Sequence, residues 1–113
     1  MEETQTTTVA FADFKKIDLR VGTVLSVENH PNADKLYVLK VDLGAEQRQI
    51  VAGIRPYYTP EALVGRSIVV VANLQPAMLR GVESQGMLLA AQDGARVTVL
   101  QPDGGATPGA RVS

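Results

Sequence analysis

An all-β barrel of five short strands, with one short helix between the third and the fourth, is the fold this sequence predicts. Three observations carry the prediction. Apolar residues alternate with polar or small ones in several short runs, clusters of turn formers separate those runs, and a single segment, 59–65, has both a helix start and a helix stop.

Residues 1–9 read as a flexible polar tail, Thr-rich and without periodicity, ahead of one domain over 10–113. Phe11 and Phe14, three apart and followed by Lys15 and Lys16, predict one helical turn that packs two rings against the domain. From Asp18 to Glu28 the residues Leu19, Val21, Thr23, Leu25 and Val27 alternate with polar or small neighbours, as in a half-buried strand, and Val24 is the one exception. Gly22 inside that run predicts a bulge or sharp bend. His30-Pro31-Asn32-Ala33-Asp34 is a turn, with His30 read as an exposed turn residue, and it leads into a second strand over 36–43. A third strand over 47–52 stops at Gly53. Thr59 then offers an N-cap, Pro60 a first-turn proline and Gly65 a terminator, which together predict a helix of one or two turns. The Val-rich run 67–74 is the fourth strand, 77–85 is irregular, and 86–92 is the fifth. Asp93-Gly94 signals a tight hairpin into 96–100, an extra C-terminal hairpin strand, and the Pro- and Gly-rich stretch 102–109 predicts an ordered turn or extended arm. Three strands, a helix and two strands is the order of the OB-fold, a five-stranded Greek-key barrel that commonly binds oligonucleotides. An SH3-like barrel or a sandwich also tolerates six short strands, but the position of the helix favours the OB order.

The 113 residues, 45% of them apolar, suffice for one core and not for two. With no cysteine and one histidine, disulfides, thiolate chemistry and a multi-histidine metal cage are excluded, and no cofactor is expected. No apolar run approaches the ~20 residues that span a bilayer. No membrane association and a cytoplasmic location are therefore expected. No nucleophile elbow, paired acid and base or phosphate-cradling glycine loop is present, so a binding module is expected rather than an enzyme. Net charge is −1, yet residues 31–80 carry six cations against four carboxylates, and seven of the eleven cations are Arg, whose planar fork suits phosphate.

Two segments are candidates for binding, His30–Lys35 and Ala77–Met87. The second mixes Arg80, Ser84 and Gln85 with glycines and with Met78, Leu79 and Met87, side chains that suit a phosphate–sugar surface. The competing reading, which composition alone favours, is a solvated inter-strand loop whose methionines plug the end of the barrel. Tyr37 suits an apolar slot at least as well as a base-stacking role.

Four motifs in order resemble the tRNA-binding domain family: Phe14-Lys15-Lys16-Ile17-Asp18-Leu19-Arg20-Val21-Gly22, then His30 to Tyr37, then Asn73-Leu74-Gln75-Pro76, then Arg80 to Leu89. The resemblance runs from about Val9 to Val112. That family includes the C-terminal appendix of many methionyl-tRNA synthetases, freestanding structure-specific tRNA-binding proteins and a cytokine-precursor domain of multisynthetase complexes. The resemblance implies an OB-fold that binds the outer corner of folded tRNA, with contacts from Asn32, Lys35, Arg80, Ser84 and Met87, and from Arg55 as a further candidate. It also implies a homodimer formed through the tail 102–112, and association with a methionyl-tRNA synthetase catalytic domain. An intact Ser84-Gln85-Gly86-Met87 favours the tRNA branch over relatives that resemble an export chaperone. A chaperone-like module binding unfolded or export-bound polypeptide is the alternative.

Overall fold

The computed structural model describes residues 7–113, so the tail read over 1–9 lies outside the described residues up to residue 6. Its elements are α1 (Phe11–Phe14), β1 (Leu19–Asn29), β2 (Tyr37–Asp42), β3 (Gln47–Ala52), α2 (Pro60–Leu63), β4 (Ser67–Val71), β5 (Ala77–Leu79), β6 (Val82–Ser84), β7 (Met87–Leu88), β8 (Ala90–Asp93), β9 (Arg96–Val99) and β10 (Arg111–Val112). The main sheet is antiparallel in the order β3-β2-β1-β4-β7, curled into a nearly closed barrel with α2 between β3 and β4, as the OB order predicts.

The spine is β1, which serves two sides of the barrel. Its first half pairs with β4, from Leu19 opposite Val71 to Thr23 opposite Ser67, and its second half pairs with β2, from Thr23 opposite Asp42 to Asn29 opposite Tyr37. Between Val24 and Ser26 the register slips by one residue. A one-residue slip turns every later side chain to the opposite face. Val24, the exception to the alternation and the last residue before the slip, is a core residue at 1% exposure, Leu25, skipped in the pairing, is 42% exposed, and Val27 beyond the slip packs against the core. Val24 stands opposite Val41 of β2, and on its other side its backbone groups meet the segment after α2: Val24 N–H donates to Arg66 O at 3.0 Å and Gly65 N–H donates to Val24 O at 2.8 Å. Thus Val24 of β1 anchors the end of α2, whose buried Leu63 joins Val24, Leu39, Ile50, Ile68 and Val70 in the core. The bulge is not at Gly22. That glycine marks a close crossing, since a Cβ there would collide with the Val41 side chain.

Sequence patterning and structure differ over 77–92. The stretch 77–85 is not irregular but a β5–β6 hairpin in which Ala77 faces Ser84 and Leu79 faces Val82, turned by Arg80 and Gly81 with φ of 53° and 92°. Arg-Gly lacks the Asn or Asp that makes such a turn legible. The expected fifth strand is divided: β7 pairs with β4, and after Leu89 the chain leaves the barrel as the β8–β9 hairpin, turned at Gly94 as expected. The arm after Pro102 returns as β10 beside the start of β1. The α1 turn forms, but its rings do not pack down on the domain, and Phe11 is 70% exposed.

The barrel closes where the outer edge of β3 meets the segment between β6 and β7, and side chains make that seam. Gln85 N–H donates to Gln49 O at 2.7 Å, Gln49 N–H donates to Gln85 Oε1 at 3.0 Å, and Val51 N–H donates to Ser84 Oγ at 3.0 Å. The Ser84 hydroxyl in turn donates to Gly86 O at 2.8 Å. Arg48 spans the end of the seam, its Nη1 donating to Ala72 O and Gln85 O, and Glu46 holds the guanidinium from the other side. The Arg48 hydrogen bond and charge hold the Glu46 carboxyl below its ordinary range. What this pair adds is present above the carboxylate's ordinary titration range and is lost as pH falls through its lowered one.

Ser84→Ala strands the buried Val51 N–H, and chemical denaturation of this variant is expected to show a loss of about 1–3 kcal/mol. A loss below about 0.5 kcal/mol, the range of ordinary surface substitutions, would contradict the role given to the seam.

Candidate nucleic-acid interface

The loop 30–36 leaves the end of β1 and is folded around His30. His30 N–H donates to Leu36 O at 3.1 Å, closing the loop. The imidazole is buried, at 3% exposure, rather than the exposed turn residue expected from sequence. Its Nδ1 lies 2.9 Å from the Asn32 backbone N–H, and its Nε2 lies 2.8 Å from Leu79 O. A backbone N–H can only donate and a carbonyl can only accept, so these partners assign the proton to Nε2. The ring therefore ties the loop to the last residue of β5.

Arg80 follows Leu79 at the tip of the hairpin. It is the only described residue other than glycine with positive φ, a conformation that costs an L side chain on the order of 1–2 kcal/mol. The two tips also touch directly: Asn32 Nδ2 donates to Arg80 O at 3.4 Å and Arg80 Nη2 donates to Asn32 O at 3.3 Å. Arg55, from the loop after β3, donates through Nη1 to Ala33 O at 3.4 Å. Asn32, Lys35 and Arg80, with Ala33, Asp34 and Leu36, line one open depression of about 440 Å³. Residues separated in sequence by more than forty positions thus present amide, ammonium and guanidinium groups to one patch of surface, with Arg55 at its border and a single carboxylate, Asp34, among them.

Two expected contact residues lie elsewhere. Ser84 is 2% exposed, and its hydroxyl is committed on both sides to the barrel seam. It is a closure residue and not a surface donor. Met87 is partly buried, packed against the core from β7, as in the reading that has methionines plug the barrel. Among the described residues the exposed methionine is Met78, next to the Arg80 turn. Tyr37 is buried and donates its hydroxyl to Tyr58 O at 2.7 Å, which removes it as a stacking platform. The residue that sequence reading missed is His30. Its burial depends on a carbonyl forty-nine positions away, and no local pattern signals that. Among the described residues no three His, Cys, Asp or Glu side chains cluster to hold a metal, and no helix is long and apolar enough to cross a membrane.

Comparison with known proteins extends these observations. A methionine–tRNA ligase of Thermococcus kodakarensis is 61% identical over 104 residues, which are 92% of this chain and 14% of that protein, so the chain spans only a small part of the curated relative's length. A MetRS related protein from Pyrococcus horikoshii superposes with a TM-score of 0.89 at 37% identity, covering 96% of this chain and 100% of that one. A chaperone CsaA from Bacillus anthracis superposes with a TM-score of 0.85 at 33% identity, covering 95% and 100%. The family model described as "Putative tRNA binding domain" matches residues 19–111, from the first residue of β1 to the first residue of β10. Because that match takes in every strand of the barrel and both loops of the depression, the chain belongs to the tRNA-binding domain family.

Proposed function

We propose that this chain is a non-catalytic tRNA-binding module that grips the outer corner of folded tRNA through Asn32, Lys35, Arg55 and Arg80. It does so either as a freestanding dimer or as the appended domain or subunit of a methionyl-tRNA synthetase, whose affinity for tRNA it raises. The observation that carries the reading is Arg80, held at a hairpin tip in a conformation that disfavours it, against a loop bearing Asn32 and Lys35. Strain retained at such a tip is more economically explained by a ligand than by stability. Folded RNA hides its base edges in a narrow major groove and is read through phosphates and 2′-hydroxyls, for which Arg, Lys and Asn are suitable partners. A net charge of −1 gives little bulk attraction, so affinity depends on where the cations are placed.

A second copy would double those contacts. Phe11, Phe14 and Ile17 are exposed on the α1 side, the two rings 6.3 Å apart, and with Lys15, Arg111, Val112 and Ser113 they line a depression of about 510 Å³. Apolar rings beside a short terminal strand form the kind of self-complementary patch that a twofold dimer buries. The part of the expected dimer segment that lines it is β10, the end of the arm.

Two measurements test this reading. In a competition assay at physiological salt, folded tRNA is expected to bind, while the same RNA denatured without magnesium, an unstructured oligonucleotide and an unfolded polypeptide compete weakly. Retention of the polypeptide with no retention of tRNA would favour the chaperone reading that the CsaA likeness raises. In the same assay Lys35→Ala and Arg80→Asn should each weaken tRNA binding and flatten the slope of log affinity against log salt by roughly one per contact. Asn tolerates the left-handed region better than Arg, so Arg80→Asn should raise stability by up to about 1 kcal/mol while it lowers affinity. Unchanged affinity in both variants would move the interface elsewhere. For the dimer, light scattering of the intact chain should give twice the monomer mass, and the Phe11→Asp, Phe14→Asp double variant should be a folded monomer. A monomeric intact chain would contradict the dimer and leave the RNA site to be judged alone.

A further inference from the structure

We infer that His30 is a positioning residue of the tRNA interface: its Nε2–H bond to Leu79 O sets the spacing between the loop that carries Asn32 and Lys35 and the hairpin that carries Arg80. This rests on the tRNA-binding reading above and adds to it a residue that touches no RNA.

Three hydrogen bonds join the two segments among the described residues. Two of them, between Asn32 and Arg80, are exposed and long, at 3.4 and 3.3 Å, and water competes for every group involved. The third is the His30 bond, 2.8 Å long, from a ring with 3% exposure. Only the third is short and shielded, so it decides the relative placement of the tips. The ring also fixes the loop internally, because Nδ1 accepts the Asn32 N–H and orients the peptide that precedes the Asn32 side chain. Leu79 is the residue immediately before the strained Arg80, and a restraint on its carbonyl is a restraint on the peptide that leads into the turn. One imidazole thereby connects both contact segments from beneath, with one nitrogen for each.

Each nitrogen can be mimicked separately. The Oδ1 of Asn stands near the place of Nδ1 and keeps the local bond to Asn32 N–H, but Asn does not reach Leu79. Gln carries an amide N–H at the distance of Nε2 and can keep the bond between the segments. Titration of the intact chain with folded tRNA is therefore expected to show His30→Asn binding about five- to tenfold more weakly, as for one lost hydrogen bond, and His30→Gln recovering most of that loss. In an Arg80→Ala background His30→Asn should cost less than about twofold, because the spacing it disturbs no longer matters. Equal affinity of His30→Asn and the unsubstituted chain, equal losses in the Asn and Gln variants, or losses that add in the double variant would each overturn the inference. Absence of tRNA binding by the unsubstituted chain would instead overturn the functional reading, so the two failures are distinguishable. A measurement that needs no variant guards against loss of folding: ¹⁵N shifts of the His30 ring should report the Nε2–H tautomer in the free and tRNA-bound chain, and an Nδ1–H ring would overturn the assignment.

Discussion

The outer edge of β3 has no full-length strand to pair with, and the molecule depends on how that edge is closed. A barrel left open there would expose a row of unpaired backbone groups of the kind that recruits other chains. Closure is achieved by one backbone bond from Gln85, by the Gln85 carboxamide standing in for a carbonyl, and by the Ser84 hydroxyl standing in for another. Individually such bonds contribute about 0.5–1.5 kcal/mol, and leaving the buried N–H groups unpaired costs more than making the bonds gains. The seam therefore acts more as a demand for specific side chains than as a large source of stability. Its consequence for function is positional. With Glu83 O held by Gln49 Nε2 and Ser84 held by β3, the β5–β6 hairpin has a fixed root, and its tip lies beside the 30–36 loop.

Legibility in the sequence followed how local each determinant is. The order of strands and helix was readable because periodicity, Pro60, Gly65 and Asp93-Gly94 act within a few residues of themselves. Even the bulge leaves a trace, since Val24 breaks the alternation of its strand, although the glycine at position 22 points to a bulge two residues too early. A serine between Glu83 and Gln85-Gly86 has the composition of an exposed loop, while its partner, Val51 N–H, lies thirty-three positions away. The partner that buries His30, Leu79 O, is likewise remote in sequence. Phe11 and Phe14 were expected to pack inward, and nothing local distinguishes a ring that covers its own domain from one left on the surface. Asn32, Lys35 and Arg80 were placed by resemblance, and the structure gathers them into one depression, as it does not gather Ser84 or Met87.

A division of labour within one motif follows. In the run Arg80 to Met87, Arg80 and Gly81 make the tip, Ser84 and Gln85 make the seam, and Met87 packs on the core. Of these, only Arg80 and Gly81 are exposed. The strained tip, the loop and the buried imidazole are stacked in that order of burial, so the chemistry offered to solvent is a small set of donors whose spacing is imposed from below. Rigid spacing favours a rigid ligand, because fixed donors are satisfied only where acceptors arrive in matching geometry.

The most direct test of this account is amide hydrogen exchange of the chain with and without folded tRNA. The account predicts added protection across Asn32–Lys35 and at Arg80 and Gly81, with the exchange of Val51, whose N–H is already bound to Ser84, unaffected by the RNA. Protection that instead spares both tips, and appears at the α1–β10 face or along the seam, would contradict it.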